Sequence, residues 1–223
     1  MEIHFEGKAL EQKILKSVSW LRENIRMVAT AVALIAALVI VAYFAVSRRQ
    51  LGLERASEKF SSAQGLYSQG MKDQSLALLN EIISQYPSSP SAFHARLLLS
   101  EINISDGKYD DAYAVARYVY EKGNPETLRP FGLYMSVIAL QESRRDNPRA
   151  RSEAMLFIEK YPDHFLTPRI YEKLAQLYEA DGMIEDARQT YSRLANLYPA
   201  GVWAKIASER IQKLSLMEKT EKK

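Results

Sequence analysis

The sequence predicts an all-α protein: a single transmembrane helix, then an α-solenoid of about four helical hairpins, then a C-terminal capping helix. Three observations carry this. One apolar run of membrane length stands near the start. A Gly and Pro punctuation then recurs about every 37 residues. Between the marks lie apolar stretches long enough for short helices. The parts divide as 1–26, a short polar segment; 27–47, the transmembrane helix; 48–200, the repeats; 201–217, the capping helix; and 218–223, a disordered tail.

The apolar run is Met27 to Val46, 20 residues with no charge; ten are Val, Ile, Leu or Phe and seven are Ala. At a rise of about 1.5 Å per residue it reaches about 30 Å, a bilayer core. The ten strong apolar residues favour insertion by roughly 3–6 kcal/mol, with no charge opposing them. Arg22, Glu23 and Arg26 bound it on one side and Arg48-Arg49 on the other. A cleaved signal peptide would have a shorter apolar core and a shorter leader, so the run reads as an uncleaved anchor. Four basic residues flank each end (Lys13, Lys16, Arg22 and Arg26 against Arg48, Arg49, Arg55 and Lys59), so charge assigns no orientation. In 8–26, Leu10, Ile14, Leu21 and Ile25 share a helical face. That segment is either an amphipathic helix on the membrane surface or an extension of the anchor.

Residues 1–49 carry net charge +3 and residues 50–223 carry 23 charges of each sign. The globular part therefore has no positive field, and nucleic acid is not an expected partner. The absence of Cys excludes disulfides, thiol nucleophiles, Cys-ligated zinc and a lipidated N-terminal Cys.

Past residue 50, Tyr86-Pro87, Asn124-Pro125, Tyr161-Pro162 and Tyr198-Pro199 recur at steps of 38, 37 and 37. A second mark precedes each proline by 17 or 18 residues: Gly70, Gly107 and Gly182, with Arg145 in the glycine place of the third unit. Each unit thus reads helix, tight turn, helix, stop. Glycine ends the first helix in a left-handed cap. Asp caps the second, and Pro closes it. Two short helices cannot bury their apolar faces alone, so the units stack into a solenoid with a concave side. Val202, Trp203, Ile206, Ile211 and Leu214 are expected to be buried in a closing helix.

The repeats resemble the tetratricopeptide repeat. The fourth unit carries the pattern most fully, with Tyr171, Leu174, Ala175, Tyr178, Ala187, Tyr191 and Pro199. The second has Leu99, Ser100, Ala112 and Pro125 but Arg96 at the aromatic place. The first has Ala63 and Pro87, with Ser75 for the alanine; the third has Tyr134, Ala150 and Pro162, with Ile138 at the small place. With Trp20-Leu21-Arg22-Glu23-Asn24 ahead of one anchor, the order of parts is similar to the ancillary subunit of the bacterial SecYEG translocon. Tyr86-Pro-Ser-Ser-Pro-Ser-Ala92 is equally similar to two relatives, the periplasmic cell division coordinator of the Tol–Pal system and the β-barrel assembly lipoprotein. The resemblance implies a single-pass protein of the bacterial inner membrane, N-terminus cytoplasmic and repeats periplasmic.

No catalytic constellation stands out. His4, His94 and His164 lack partners at metal-ligand spacing. No phosphate loop is present, and the Asn103-Ile104-Ser105 sequon falls on a predicted helix. Neither an enzyme activity, a cofactor, a metal nor a small-molecule substrate is expected. The expected site is the concave groove. Repeat register places there Phe60, Gln64 and Tyr67; His94, Leu97, Glu101 and Ile104; Met135, Ala139 and Glu142; and Arg169, Glu172, Gln176 and Glu179. It is apolar toward the anchor and acidic at the far end, and lacks the basic cluster that clamps a peptide's terminal carboxylate. An extended or helical protein segment fits it. The competing occupants are the closing helix or a second copy. The function expected is a membrane-anchored interaction scaffold, an accessory of protein translocation or periplasmic chaperones. The alternative is a structural subunit of another envelope machine for secretion, pili or division.

Overall fold

A computed structural model describes residues 16, 19–20 and 22–221, with side chains to residue 217. Leu10, Ile14 and Leu21, on which the surface-helix and extension readings rest, lie outside the described residues. The chain divides into two compact units, 1–52 and 53–223. The first holds the start of α1 (Ile25–Ser68). This helix is long and apolar enough to cross a membrane, and none of its apolar window is buried.

The second unit begins with the last turns of α1, from Leu53. It continues through α2 (Lys72–Gln85), α3 (Pro90–Ser105) and α4 (Tyr109–Lys122), then a 3-10 turn at Glu126–Leu128. After this come α5 (Arg129–Ser143), α6 (Asn147–Lys160), α7 (Thr167–Ala180), α8 (Ile184–Leu197) and α9 (Val202–Glu221). No strand occurs among the described residues. The architecture is the one predicted: four antiparallel helix pairs and a closing helix. The closing helix runs to Glu221, past the 217 boundary where a disordered tail was expected.

Local chemistry sets the turns. Gly70, Gly107 and Gly182 take φ of +79°, +72° and +71°. In each, the next residue donates its N–H to a carbonyl five residues back: Met71 to Leu66, Lys108 to Asn103, Met183 to Tyr178. That bond satisfies carbonyls orphaned at the helix end. In the third unit the left-handed residue is Arg144, φ 53°, and not Arg145. Asp caps only one second helix: Asp146 accepts from the Arg149 N–H at 3.0 Å. In the other units the acids sit inside the first turn (Asp73; Asp110 and Asp111; Glu185 and Asp186). There they meet the positive end of the helix dipole without a capping bond.

Small residues let the paired helices approach. Ala63, Ser75, Ser100, Ala112, Ala150, Ala175 and Ala187 are fully buried. Where the hairpins carry Ser, the hydroxyl crosses the pair: Ser75 donates to Ala63 O at 2.8 Å and Ser100 to Ala112 O at 2.9 Å. Arg96 fills the aromatic place of the second unit. It is buried, with its guanidinium 4.6 Å from the Tyr118 ring centre and 5.3 Å from Phe93. It donates to Pro87 O and Ala92 O, so a planar cation stands in for a ring. Between units, buried Glu153 accepts from Tyr113 Oη at 3.0 Å and from Arg117 Nη1 at 2.5 Å. Lys72 pairs with Asp106 and Arg151 with Asp181, each tying a second helix to the next unit's turn.

In the closing helix Leu214 is buried, while Trp203, Ile206 and Ile211 are half-buried. Val202, expected inside, is 59 % exposed. The face that docks runs through Trp203, Ala207, Ile211 and Leu214, a three-to-four-residue step, and Val202 is a turn of about 100° away from it.

Candidate functional site

Phe60 on α1, His94, Leu97 and Glu101 on α3, and Phe131, Tyr134 and Met135 on α5 converge on one cavity of about 280 Å³. Gln64, Leu98 and Leu166 complete its wall. Each residue sits on the first helix of a pair or just before one, which is why a repeat brings residues about 37 apart together. Six of the sequence-expected residues meet here: Phe60, Gln64, His94, Leu97, Glu101 and Met135.

The others are placed differently. Tyr67 packs against the core of the first pair. Gln176 and Glu142 line a second cavity of about 440 Å³, with Gln141, Arg144, Asn147, Leu177 and Ala180. Glu172 stands beside it, accepting from Gln176 Nε2 at 3.2 Å. Arg169 lines neither cavity. Ala139 is fully buried and cannot face the groove. Glu179 is engaged in structure, accepting from Tyr191 Oη at 2.6 Å and lying 3.7 Å from Arg210.

Phe131, Tyr134 and Gln141 escaped the sequence mapping for one reason. The sequence puts the third unit's turn at Arg145, 38 residues past Gly107, and the expected groove positions carry that step. The left-handed turns step by 37, from Gly107 to Arg144. A step of 37 from His94, Leu97 and Ile104 lands on Phe131, Tyr134 and Gln141. The turn fixes the register of the first helix because it is bonded to it, Arg144 N–H to Gln141 O, and without a glycine there the sequence leaves its place open by one residue.

The cavity is apolar with a rim of rings. The Phe60 and His94 rings are 5.7 Å apart, and Phe131 lies 5.6 Å from His164 and 5.9 Å from Phe165. Phe165 is 69 % exposed, an aromatic presented to solvent at the edge of the site. Burial lowers the pKa of both His94 and His164, favouring neutral imidazoles. His164 Nδ1 accepts the Leu166 N–H at 3.2 Å. Among the described residues no cluster of three or more His, Asp or Glu is placed to hold a metal ion.

Paired helices stacked around an apolar groove define a helical-repeat protein built to hold other polypeptides. The chain belongs to the tetratricopeptide repeat-like domain family, which matches residues 18–193. Among solved structures it is similar to the TPR-like repeats of a Podosopora anserina protein assigned as a kinesin light chain. There the identity is 12 % and the TM-score 0.59, over 76 % of this chain and 90 % of that one. It is also similar to MamA from Desulfovibrio magneticus RS-1, residues 41 to the end, at 17 % identity and TM-score 0.53, over 75 % and 97 %. At these identities the likeness is one of fold. No curated protein matches the sequence.

Proposed function

We propose that this protein is a membrane-anchored interaction scaffold whose repeat groove holds a segment of another protein. The observation that carries the reading is the apolar cavity formed by Phe60, Leu97, Phe131 and Met135, rimmed by exposed Phe165. A concave apolar pocket with few polar groups is the usual form of a segment-binding site. The place in the cell that we propose rests on the apolar run of α1 and on the resemblance in the order of parts. The anchor crosses the bacterial inner membrane once, residues 1–26 are cytoplasmic, and the repeats are periplasmic. Partners in the translocon or the periplasmic chaperone network fit that placement, since the repeats follow the anchor almost at once. Phe60, Gln64, His94, Leu97, Glu101 and Met135 are the contact residues proposed, with Glu172 and Gln176 farther along the groove; Arg169 and Tyr67 are secondary.

Leu97→Glu puts a charge in the cavity and should abolish photocrosslinking of membrane partners from position 60, with helicity by circular dichroism unchanged. A folded Leu97→Glu protein that crosslinks the same partners would rule the groove out. A reporter fused after Lys223 that is active only in the cytoplasm would overturn the orientation.

A further inference from the structure

The second cavity has a chemical polarity that the first lacks. Gln176 Nε2 donates to Glu172 Oε1 at 3.2 Å, and Gln141 Nε2 donates to Gln176 Oε1 at 3.1 Å. A carboxylate offers only acceptors, so Glu172 fixes which way the Gln176 amide points. Gln176 in turn fixes Gln141. The chain ends at Gln141 Oε1, a buried acceptor and the one buried side-chain polar atom without a partner among the described residues. Neither amide can flip without placing an oxygen against an oxygen. Asn147, on the same wall, is committed likewise, its Nδ2 donating to Asp181 Oδ1 at 2.6 Å. The amide donors of this wall are thus engaged, Gln176 and Asn147 with carboxylates and Gln141 with the Gln176 carbonyl, and acceptors remain. Glu142 and Arg144 also line the cavity and cancel in formal charge, which leaves the fixed acceptor to set the preference.

We propose that this cavity takes the ammonium of a lysine or the guanidinium of an arginine from the protein segment held in the groove. The proposal rests on the groove reading above and adds the chemistry of the partner. Buried polar groups are almost always satisfied, so an orphaned acceptor at a cavity wall marks where a donor belongs. The two cavities share α5. Gln141 lies six residues beyond Met135, about 9 Å along a helix. An extended chain covers about 10 Å in three residues. The partner sequence is therefore an apolar residue and a basic residue about three places apart, read in either chain direction.

The test is an array of acetylated, amidated nonapeptides in an alanine–serine background, probed with the full-length chain in detergent. Each peptide holds one Phe and one Lys, Arg, Gln or Glu at a spacing of two to six residues. Binding should require Phe and rise on the order of tenfold when Lys or Arg stands about three residues away, less with Gln, whose donor is neutral, and not at all with Glu. Gln141→Leu should erase the basic preference and keep the Phe requirement. Glu172→Gln frees the amide chain to reverse, so Glu should become tolerated at that place. Circular dichroism shows that both variants fold. Phe-dependent binding with no basic preference, or a preference unchanged in Gln141→Leu, overturns the proposal and leaves the groove reading standing. Indifference to Phe overturns both.

Discussion

Replacing glycine by alanine should have opposite signs at two helical positions of this chain. Gly132 lies in α5 where it crosses α4. A Cβ there would overlap the Tyr120 amide nitrogen and sit 2.8 Å from Ala116 O and 2.9 Å from the Val119 carbonyl carbon. All three are backbone atoms, so no rotamer change relieves the overlap and the two helices must part. Overpacking costs about 1–3 kcal/mol, and a rigid triple contact belongs at the top of that range. Gly to Ala in a helix returns about 1 kcal/mol, leaving a loss of about 2 kcal/mol. For a folded unit of this size that lowers Tm by about 4–8 °C. Gly65, inside α1, has nothing within 4 Å of the added methyl. Gly65→Ala should keep the helix gain and raise Tm by about 2–4 °C. Thermal unfolding of the full-length chain in detergent, followed by circular dichroism, reads both. A Gly132→Ala protein as stable as wild type would show that α4 and α5 are not in backbone contact.

Deleting 202–223 should destabilise far more than deleting 218–223, because α9 covers Tyr171, Ala175, Tyr191 and Leu194 and contributes Leu214, each large side chain worth roughly 1.5–3 kcal/mol of burial; equal melting temperatures would show that α9 is no cap. Stability should fall as pH drops below about 6.5, where histidine protonates in the unfolded chain. The folded pKa of His94 and His164 is lowered, so their contribution is complete above the unfolded value and is lost as pH falls toward the folded one. His164→Gln should flatten that profile in pH-dependent urea melts, since burial among the rings strips water from an imidazolium. Glu179→Ala, on the far end of the groove, is a stability variant: it strips the buried Tyr191 hydroxyl of its acceptor and Arg210 of its partner, at a cost of about 1–3 kcal/mol by denaturant unfolding.

The fold class was written in the sequence because its determinants are local. An apolar run of bilayer length, glycines that alone sit easily at positive φ, and prolines that cannot continue a helix act within a few residues, and counting them recovers the pairs. The same holds for Phe60, His94 and Leu97, which fall on one face of their helices. What the sequence left undecided depended on how one unit seats on the next. The step from the second unit to the third reads as 38 if the turn is set at Arg145, although Pro125 and Pro162 are 37 apart. Only the folded backbone showed the left-handed residue at Arg144, a step of 37 from Gly107, which brings in Phe131, Tyr134 and Gln141 and buries Ala139. Arg96 in an aromatic place became intelligible once Phe93 and Tyr118 were seen around it. Glu179 and Gln141 differ little as letters, two polar residues near the ends of first helices. Packing gives one a tyrosine and an arginine and leaves the other's buried oxygen without a partner, because hydrogen-bond partners are assigned in space and not along the chain.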